Sequence, residues 1–171
     1  AQAIAYDPNT GALTLTGPIT LDDGTGVKLL ADQAELSSDL QNGLLLGARL
    51  VLNEQLQLAA VQANRVNGRY TQLYKTVVTS CRICADDPRP PLWQIRAKRV
   101  VHDEEGQQLY FDEAQLRVRS VPILYLPRLR VPDPTQTRAT GFLFPEVRSD
   151  SRLGTGIRVP YFIKLNDHRD L

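Results

Sequence analysis

The stretch WQIRAKRVVHDEEGQQLYFDEAQLRV, residues 93–118, decides the fold class. Apolar and polar residues alternate along residues 93–101 and again along residues 108–118, and Asp103-Glu104-Glu105-Gly106 between them predicts a turn. Alternation with a period of two on both sides of a short polar turn is typical of an antiparallel hairpin. The residues predicted to form the apolar faces of its two strands are Trp93, Ile95, Ala97 and Val101, and Tyr110, Ala114, Leu116 and Val118.

The same alternation recurs on the N-terminal side of this hairpin. Residues 3–6 and 12–16 flank a turn sequence at 7–11, and residues 43–52 predict one continuous strand. The apolar faces predicted for residues 43–52 and 56–60 comprise Leu44, Leu46, Ala48, Leu50 and Leu52, and Leu56, Leu58 and Ala60. Because a helical period is nearly absent, we predict an antiparallel, all-β chain.

A loose internal repeat places alanine at corresponding positions of several segments. The segments are Leu30-Ala31-Asp32-Gln33-Ala34, Leu46-Gly47-Ala48-Arg49-Leu50, Ala63-Asn64-Arg65-Val66 and Arg96-Ala97-Lys98-Arg99-Val100. One interpretation is a stack of strands that grows along an axis, with small side chains where a large one would not fit. The other is ordinary alanine in ordinary strands, and the pattern alone leaves both open.

Composition indicates one ordinary globular unit of 171 residues, with 42% hydrophobic and 23% charged residues. A net charge of +1 provides no overall field to attract nucleic acid or an anionic membrane. No apolar run approaches the ~20 residues of a membrane-spanning helix. The chain contains no methionine, from which we expect a processed product or an excised fragment.

The amino-acid composition of the sequence changes after residue 120. Only two of the eleven prolines precede residue 80, and residues 132–137 form a proline-containing linker. We therefore predict a boundary near residue 131, with one domain over residues 1–131 and a separate segment over residues 132–171.

Few residues in the sequence suggest catalytic, redox or metal-binding chemistry. Cys81 and Cys84 form one C-x-x-C pair, but no second pair completes a zinc site, and His102 and His168 lie far apart. A proline-rich loop follows the pair, whereas a thioredoxin-like site would place it at the start of a helix. A structural disulfide, within the pair or to another segment, is the favoured hypothesis. No catalytic motif is present, so we predict no enzyme, no metal and no cofactor.

Two compositional features leave alternatives open. Arginines are frequent after residue 95 and alternate with apolar residues, which is typical of a charged outer face but also suits contact with an anion such as a phosphorylated glycolipid head group. Few aromatics accompany them, which argues against nucleic acid. The chain has 25 leucines and only 11 aromatics, which favours either an open acyl-chain groove or a packed two-layer core.

A resemblance to a known family rests on an ordered series of motifs after residue 80. The motifs are Pro91-Leu92-Trp93-Gln94-Ile95-Arg96-Ala97, Val121-Pro122-Ile123-Leu124-Tyr125-Leu126-Pro127, Thr140-Gly141-Phe142-Leu143-Phe144-Pro145, Gly156-Ile157-Arg158-Val159-Pro160-Tyr161-Phe162 and Asp167-His168-Arg169-Asp170-Leu171. They resemble the LptD family of lipopolysaccharide-assembly outer-membrane proteins, also called the organic solvent tolerance protein family. Residues 1–79 resemble the more diffuse OstA-type repeat that this family shares with soluble periplasmic relatives.

The resemblance implies a V-shaped, twisted β-jelly roll of OstA/LptA-like stacked antiparallel strands over residues 1–131, at the periplasmic face of the outer membrane of a Gram-negative bacterium. Residues 132–171 would be a linker and the truncated first strands of an outer-membrane β-barrel, so the fragment itself would be soluble. Cys81 and Cys84 would pair with each other or with cysteines near the end of the missing barrel.

The implied function is lipopolysaccharide (LPS) transport and assembly. Acyl chains of lipid A would bind in an apolar groove and pass toward the barrel. Candidate groove-lining residues are Leu44, Leu46, Leu50, Leu56, Leu58, Trp93, Ile95, Tyr110, Leu116 and Val118. A one-residue error in register would exchange the two faces of any strand. We expect Leu46→Arg or Leu58→Glu to block lipid loading without unfolding the domain.

The implied partners are LPS, a periplasmic bridge protein of the LptA type that stacks on an edge strand, and an outer-membrane lipoprotein of the LptE type held through the missing barrel. Two alternatives are a soluble periplasmic bridge protein of the same fold and a β-sandwich with a filled core that binds no lipid. The motifs at residues 121–127 and 141–145 argue against the bridge protein, because they are typical of the barrel-bearing family.

Overall fold

The computed structural model describes residues 1–22, 24, 26–53, 56–80, 91–135, 140–142, 146–150, 154–166 and 169–170. These residues form strands and turns, and none of them belongs to a helix long and apolar enough to cross a membrane. The main sheet comprises β1 (Ala3–Asp7), β2 (Ala12–Asp22), β3 (Val27–Ser37), β4 (Gly43–Leu46), β5 (Arg49–Leu52), β6 (Leu56–Ala59), β7 (Gln62–Val66), β8 (Tyr70–Thr79), β9 (Trp93–Asp103), β10 (Gln108–Val118) and β11 (Val121–Pro132).

This sheet is antiparallel throughout, and its strands follow one another in nearly the order of the sequence. The path is β1-β2-β3-β4-β7-β8-β9-β10-β11. Strands β4 and β5 lie end to end between β3 and the next row of the sheet, and β7 and β6 lie end to end in that next row, before β8. Strands β3 and β8 therefore have two halves with different neighbours: β3 pairs with β4 through one half and with β5 through the other, and β8 pairs with β7 and β6 in the same way. The edges of the sheet are β1 and β11.

A crease crosses the sheet at the point where β3 and β8 change neighbours. In β3, β8, β9 and β10 the nearest buried side chains on either side of this line are three residues apart instead of two, as with Leu73 and Thr76 in β8, whereas in β2 a bulge separates Leu15 from Ile19 by four residues. The residues on the line lie opposite one another in the strand registers: Gly17, Asp32, Gly47, Val61, Lys75, Lys98, Glu113 and Pro127. Two successive outward residues turn a strand through a corner, and such corners let one strand belong to two packed layers.

Backbone conformation along the crease fits this bend. Gly17, Gly47, Lys75 and Glu113 all have positive φ angles, of 91°, 61°, 51° and 53°. Gly47 is required for a second reason, because a Cβ there would lie 2.1 Å from a carboxylate oxygen of Asp32. Lys98 and Glu113 form an ion pair of 2.9 Å across the outer side of the crease.

The crease divides the sheet into two walls. The β4/β7 wall contains β4, β7 and the adjoining halves of the long strands, and the β5/β6 wall contains β5, β6 and the other halves. Buried side chains from both walls form one hydrophobic cluster, with Leu36, Leu45, Leu73 and Phe111 in the β4/β7 wall and Leu50, Leu52, Leu56, Leu58, Val78 and Ile95 in the β5/β6 wall. The core therefore lies between the two walls, inside the fold of the sheet.

Alanines of the internal repeat lie next to the crease. Ala31, Ala34, Ala48, Ala63 and Ala97 are all buried, at 0–7% exposure. Little space is left inside a corner where two walls converge, and a small side chain fits there better than a leucine. The alanine repeat thus coincides with the crease. This favours the interpretation that the strands are stacked and that alanine occurs where a large side chain would not fit.

Short strands follow the main sheet. They are β12 (Gly141–Phe142), β13 (Glu146–Asp150), β14 (Gly154–Arg158), β15 (Tyr161–Phe162), β16 (Lys164–Asn166) and β17 (Arg169–Asp170). They pair as β12 with β15, β13 with β14, and β16 with β17. The predicted all-β fold of stacked antiparallel strands is confirmed, and so is the predicted hairpin of residues 93–118.

Candidate apolar groove

Half of the ten candidate lining residues lie in the closed part of the interior. Leu50, Leu56, Leu58, Trp93 and Ile95 are all in the β5/β6 wall and are 1–5% exposed. Leu50 lies opposite Leu58 in the pairing of β5 with β6, and Leu58 lies opposite Val78 in the pairing of β6 with β8. They form a continuous aliphatic row across three strands, packed against the opposite wall.

Leu116 and Val118 lie on the same inner face but nearer the β11 edge. Both are partly buried and pack against the core cluster. Beyond them the inner face becomes exposed, since Leu124 of β11, which pairs with Leu116, is 48% exposed. These two positions therefore lie where the packed interior gives way to open surface.

The predicted face is wrong for Leu44, Leu46 and Tyr110. Leu44 and Leu46 are 38% and 40% exposed, and Tyr110 is 38% exposed, all on the outer surface of the β4/β7 wall. The prediction extended one alternation through residues 43–52 and another through residues 108–118. The crease interrupts each run, at Gly47 and at Glu113, and exchanges the inner and outer faces beyond it. Val101 is likewise on the outer side, while Val100 is buried.

The sequence analysis missed the inner face of the β4/β7 wall. Its buried members are Leu36, Leu45, Ala63, Leu73, Val100, Leu109, Phe111 and Val131. Adjacent polar residues in the middle of a strand, such as Lys98 and Arg99, were the available signal. Two polar residues in succession break a period-2 pattern and predict a change of face.

The interior is open at both edges of the sheet. At the β1 edge, Ile4 and Tyr6 pair with Leu15 and Leu13 and remain 67% and 58% exposed. At the β11 edge, Val121 is 60% exposed. Only the middle of the sandwich, from β3 to β10, is thus closed by contact between the walls.

A mouth lies at the open end of the sandwich, away from the crease. A cavity of about 190 Å³ there has the apolar side chains Leu21, Val27, Leu29 and Leu40 as part of its lining. Its rim carries Arg65, which donates a hydrogen bond of 2.9 Å from Nη1 to Oε1 of Glu104. The mouth therefore combines an apolar floor with a charged border.

Further polar contacts fix the end of the β4/β7 wall beside this mouth. Arg69 donates to Asp103 at 2.9 Å, and this hydrogen bond holds the pKa of the Asp103 carboxyl below its usual value and raises the pKa of Arg69. Asp103 also accepts from the amide of Gly106 at 3.0 Å. The turn between β9 and β10 is thereby tied to the start of β8.

The described residues include neither the cysteine pair nor a metal site. Cys81 and Cys84 lie outside the described residues, so the disulfide stays a prediction. Among the residues that the structure describes, no group of three or more His, Cys, Asp or Glu side chains could hold a metal ion.

Comparison with known proteins gives the same family as the motifs. The chain is 30% identical over 173 residues to the LPS-assembly protein LptD of Pseudoalteromonas translucida, covering 99% of this chain and 22% of the relative. It is 26% identical over 170 residues to LptD of Xanthomonas euvesicatoria pv. vesicatoria, covering 99% of this chain and 20% of that protein.

The chain is homologous to a segment of LptD. The predicted resemblance to the LptD family is thereby confirmed, and the segment spans about a fifth of the length of these LptD relatives. LptD of Hahella chejuensis matches in the same way, at 27% identity over 171 residues. No protein-family model matches the chain.

One solved structure is similar over most of the chain. It is LptH from Pseudomonas aeruginosa, described as the LptA homologous periplasmic component of the conserved lipopolysaccharide transport device. The similarity covers 77% of this chain and 81% of that chain, with a TM-score of 0.37 and 10% sequence identity.

Proposed function

We propose that this chain is the periplasmic part of an LPS-assembly protein of the LptD type, and that it binds the acyl chains of lipid A between its two walls. One observation carries the proposal: every strand of the β5/β6 wall, from β2 to β11, contributes apolar side chains to the inner face. An inner face that is apolar across the whole stack provides a track rather than a single pocket.

Burial of methylene groups drives the binding. Each CH₂ of an acyl chain that is removed from water contributes about 0.8 kcal/mol. Between the walls, the chain replaces the apolar contacts of one wall with the other by apolar contacts of each wall with the chain. Leu50, Leu56 and Leu58 are about 1% exposed without lipid, so the walls must separate for a chain to pass. The crease is the natural hinge for that motion, since it joins the walls along one line.

Direction follows from the order of the elements. The sheet ends with β11 at Pro132, close to the boundary proposed at residue 131, and the short strands of residues 132–171 follow it. We assign residues 1–131 to the jelly roll and residues 132–171 to the linker and the start of the barrel. Lipid would move from the β1 edge toward the β11 edge and then to the barrel. This role is non-enzymatic and needs no cofactor.

The β1 edge is the proposed contact for a periplasmic bridge protein of the LptA type. Strand β1 pairs with β2 without a bulge, and its other side has no neighbour within the described main sheet. Ile4 and Tyr6 would extend the apolar interior into the partner when a strand is added there. By contrast, β11 contains Pro122 and Pro127, which lack the amide hydrogen that strand addition requires.

The remaining partners belong to the whole protein. The barrel that follows this segment would contact an outer-membrane lipoprotein of the LptE type, and the jelly roll would lie at the periplasmic face of the outer membrane. The LptD name of the relatives, which match 99% of this chain, supports both assignments.

Photo-crosslinking to purified LPS tests the acyl-chain track. A photoreactive amino acid is placed at Leu58 or Leu45, which face inward, and at Leu46, which neighbours Leu45 but faces outward. We expect LPS adducts from Leu58 and Leu45 and none from Leu46. Adducts from all three positions, or from Leu46 alone, would contradict the track.

A second candidate function has one observation in its favour. The middle of the interior is packed, with side chains at 0–5% exposure, as in a structural sandwich that binds no lipid. In that case neither Leu45 nor Leu58 would crosslink to LPS, although the chain is folded. The third reading, a soluble bridge protein, predicts adducts at both inward positions in a protein that lacks a barrel.

Contact with the bridge protein is tested separately. A photoreactive amino acid at Ile4 of β1 is compared with one at Ile123 of β11, using a bridge protein of the LptA type as the probe. We expect adducts from Ile4 and none from Ile123. The reverse result would assign the bridge protein to the other edge.

A further inference from the structure

Residues 133–135, the strap, cross the open end of the sandwich from one wall to the other. The strap leaves the β4/β7 wall at the end of β11, where the amide of Asp133 donates to the carbonyl of Gln107 at 3.0 Å. It reaches the β5/β6 wall at Asn53, whose Nδ2 donates to the carbonyl of Pro134 at 3.5 Å. The methyl group of Thr135 lies 3.9 Å from where a Cβ of Gly26 would stand.

A buried pair holds the strap against the β4/β7 wall. Nε2 of His102 in β9 donates a hydrogen bond to Oδ2 of Asp133, and the two side chains are 0% and 2% exposed. His102 points to the interior beside Thr71 and Leu109, its partners in β8 and β10. The carboxylate of Asp133 therefore reaches across the start of β10 to meet it.

The pair is unusual for its place in the fold. Its neighbours on the inner face, Val100, Leu109 and Val131, are apolar and buried, and Thr71 is the buried polar residue beside it. Nδ1 of His102 is buried and has no hydrogen-bond partner among the described residues. A buried polar atom without a protein partner costs free energy, so the net stabilisation from the latch is smaller than that of a fully paired buried group.

The strap also borders the mouth. Val27 and Glu104 are among the residues that line the cavity at the open end. Val27 follows Gly26, which Thr135 of the strap approaches, and Glu104 belongs to the same turn as Gln107, whose carbonyl accepts from the Asp133 amide. The strap therefore lies beside this cavity, between the end of β11 and Asn53, which follows β5.

We propose that the strap is a closure of the open end, held by the latch between His102 and Asp133 and by the contact of Pro134 with Asn53. When the latch opens, the apolar interior becomes continuous with the edge from which the C-terminal segment leaves. This inference concerns the access to the interior and holds whichever molecule enters it.

Amide hydrogen exchange of the 171-residue chain tests the latch. His102→Leu removes the donor to Asp133 Oδ2 and leaves the local bond from the Thr135 amide to Asp133 Oδ1, of 2.8 Å, in place. We expect the amides of Asp133 and Thr135 to exchange on the order of tenfold faster, as the loss of a hydrogen bond to a charged group implies. The amides of Leu73 and Val78, in the core, should keep their wild-type rates.

Asn53→Gly is the second variant, because Asn53 lies in an exposed turn with a φ of 48°, which glycine adopts without strain, so the change removes the side-chain contact with Pro134. It should accelerate the strap amides in the same direction. Asp39→Asn, a change at an exposed carboxylate that accepts from Ser37 and Gln41, is the matched control and should leave the strap unaffected.

Binding of the dye 1-anilinonaphthalene-8-sulfonate reports the opened interior. It should increase in His102→Leu and Asn53→Gly and not in Asp39→Asn. Unchanged strap amides in Asn53→Gly, or acceleration of strap and core amides to the same extent in both variants, would overturn the proposal.

Discussion

The two walls are made from the same strands, yet their inner faces differ. The β5/β6 wall presents leucine, isoleucine, valine and tryptophan, with its buried threonines Thr76 and Thr79 as minor additions. The β4/β7 wall is also apolar near the crease, but its open end carries Thr71, His102 and Asp133 inside and the ion pairs of Arg65 and Arg69 at the rim.

This difference separates two tasks within one sheet. An inner face made mostly of hydrocarbon side chains has few fixed hydrogen-bond partners, so it can exchange one apolar contact for another at little cost. Hydrogen bonds and ion pairs require particular partners and fix the geometry of the wall that contains them. We infer that the β4/β7 wall holds the open end in shape while the β5/β6 wall provides the surface for acyl chains.

The largest expected effect is that of a charge within the aliphatic wall. Leu58→Glu places a carboxylate at a position that is 1% exposed, so we expect a loss of more than about 4 kcal/mol and an unfolded chain. Leu46→Arg, on the outer surface, should change the free energy of unfolding by less than about 0.5 kcal/mol. Urea denaturation followed by circular dichroism measures both. The structure thus revises the expectation that both variants remain folded and block loading.

Truncations test whether the two walls share one core. Leu56→Ala in the β5/β6 wall and Leu45→Ala in the β4/β7 wall should each cost about 2–5 kcal/mol, because both side chains are about 1% exposed or less. Leu44→Ala, next to Leu45 but outward, should cost less than about 1 kcal/mol. The same denaturation experiment applies. A small cost at Leu45 would mean that the β4/β7 wall packs loosely on its partner.

The polar end of the β4/β7 wall should give stability that depends on pH. Burial raises the pKa of the Asp133 carboxyl, but the hydrogen bonds from His102 and the Thr135 amide outweigh it, and the pKa lies below its ordinary value. The stabilisation is therefore complete above about pH 4, the unfolded pKa, and is lost as the pH falls through the lower folded pKa.

Asp133→Asn should accordingly cost about 1.5–3 kcal/mol at pH 7 and progressively less below about pH 4. Free energies of unfolding for the wild type and the variant, measured from pH 7 to pH 2, check this. A difference that stays constant over the whole range would show that the charge of Asp133 contributes nothing.

The smallest effect concerns the crease that joins the walls. Lys75 has a φ of 51°, a conformation that a β-branched residue adopts only with strain. We expect Lys75→Val to cost about 1–2 kcal/mol and Lys75→Gly, the matched control, less than about 1 kcal/mol. Thermal unfolding resolves both. Equal costs would mean that the crease does not depend on the left-handed conformation.

Much of this architecture follows from the sequence. Alternation along residues 93–118 and 3–16 predicted strands and hairpins that the structure contains, because adjacent side chains of a strand point to opposite faces. The candidate residues Leu50, Leu56, Leu58, Trp93 and Ile95 were predicted to face inward and are buried, because in the β5/β6 wall the inward positions coincide with the predicted apolar face.

The sequence by itself determined that the chain is all-β, antiparallel and related to LptD, because period-2 patterns and ordered motifs are local properties. Only the tertiary structure decided which face of each half-strand is buried. That choice depends on the crease, where Gly47, Lys75 and Glu113 turn their strands through a corner and exchange the two faces. The tertiary structure also placed His102 against Asp133, 31 residues away in the sequence. A contact across the end of a sheet produces no local sequence pattern around either residue, so the sequence did not predict it.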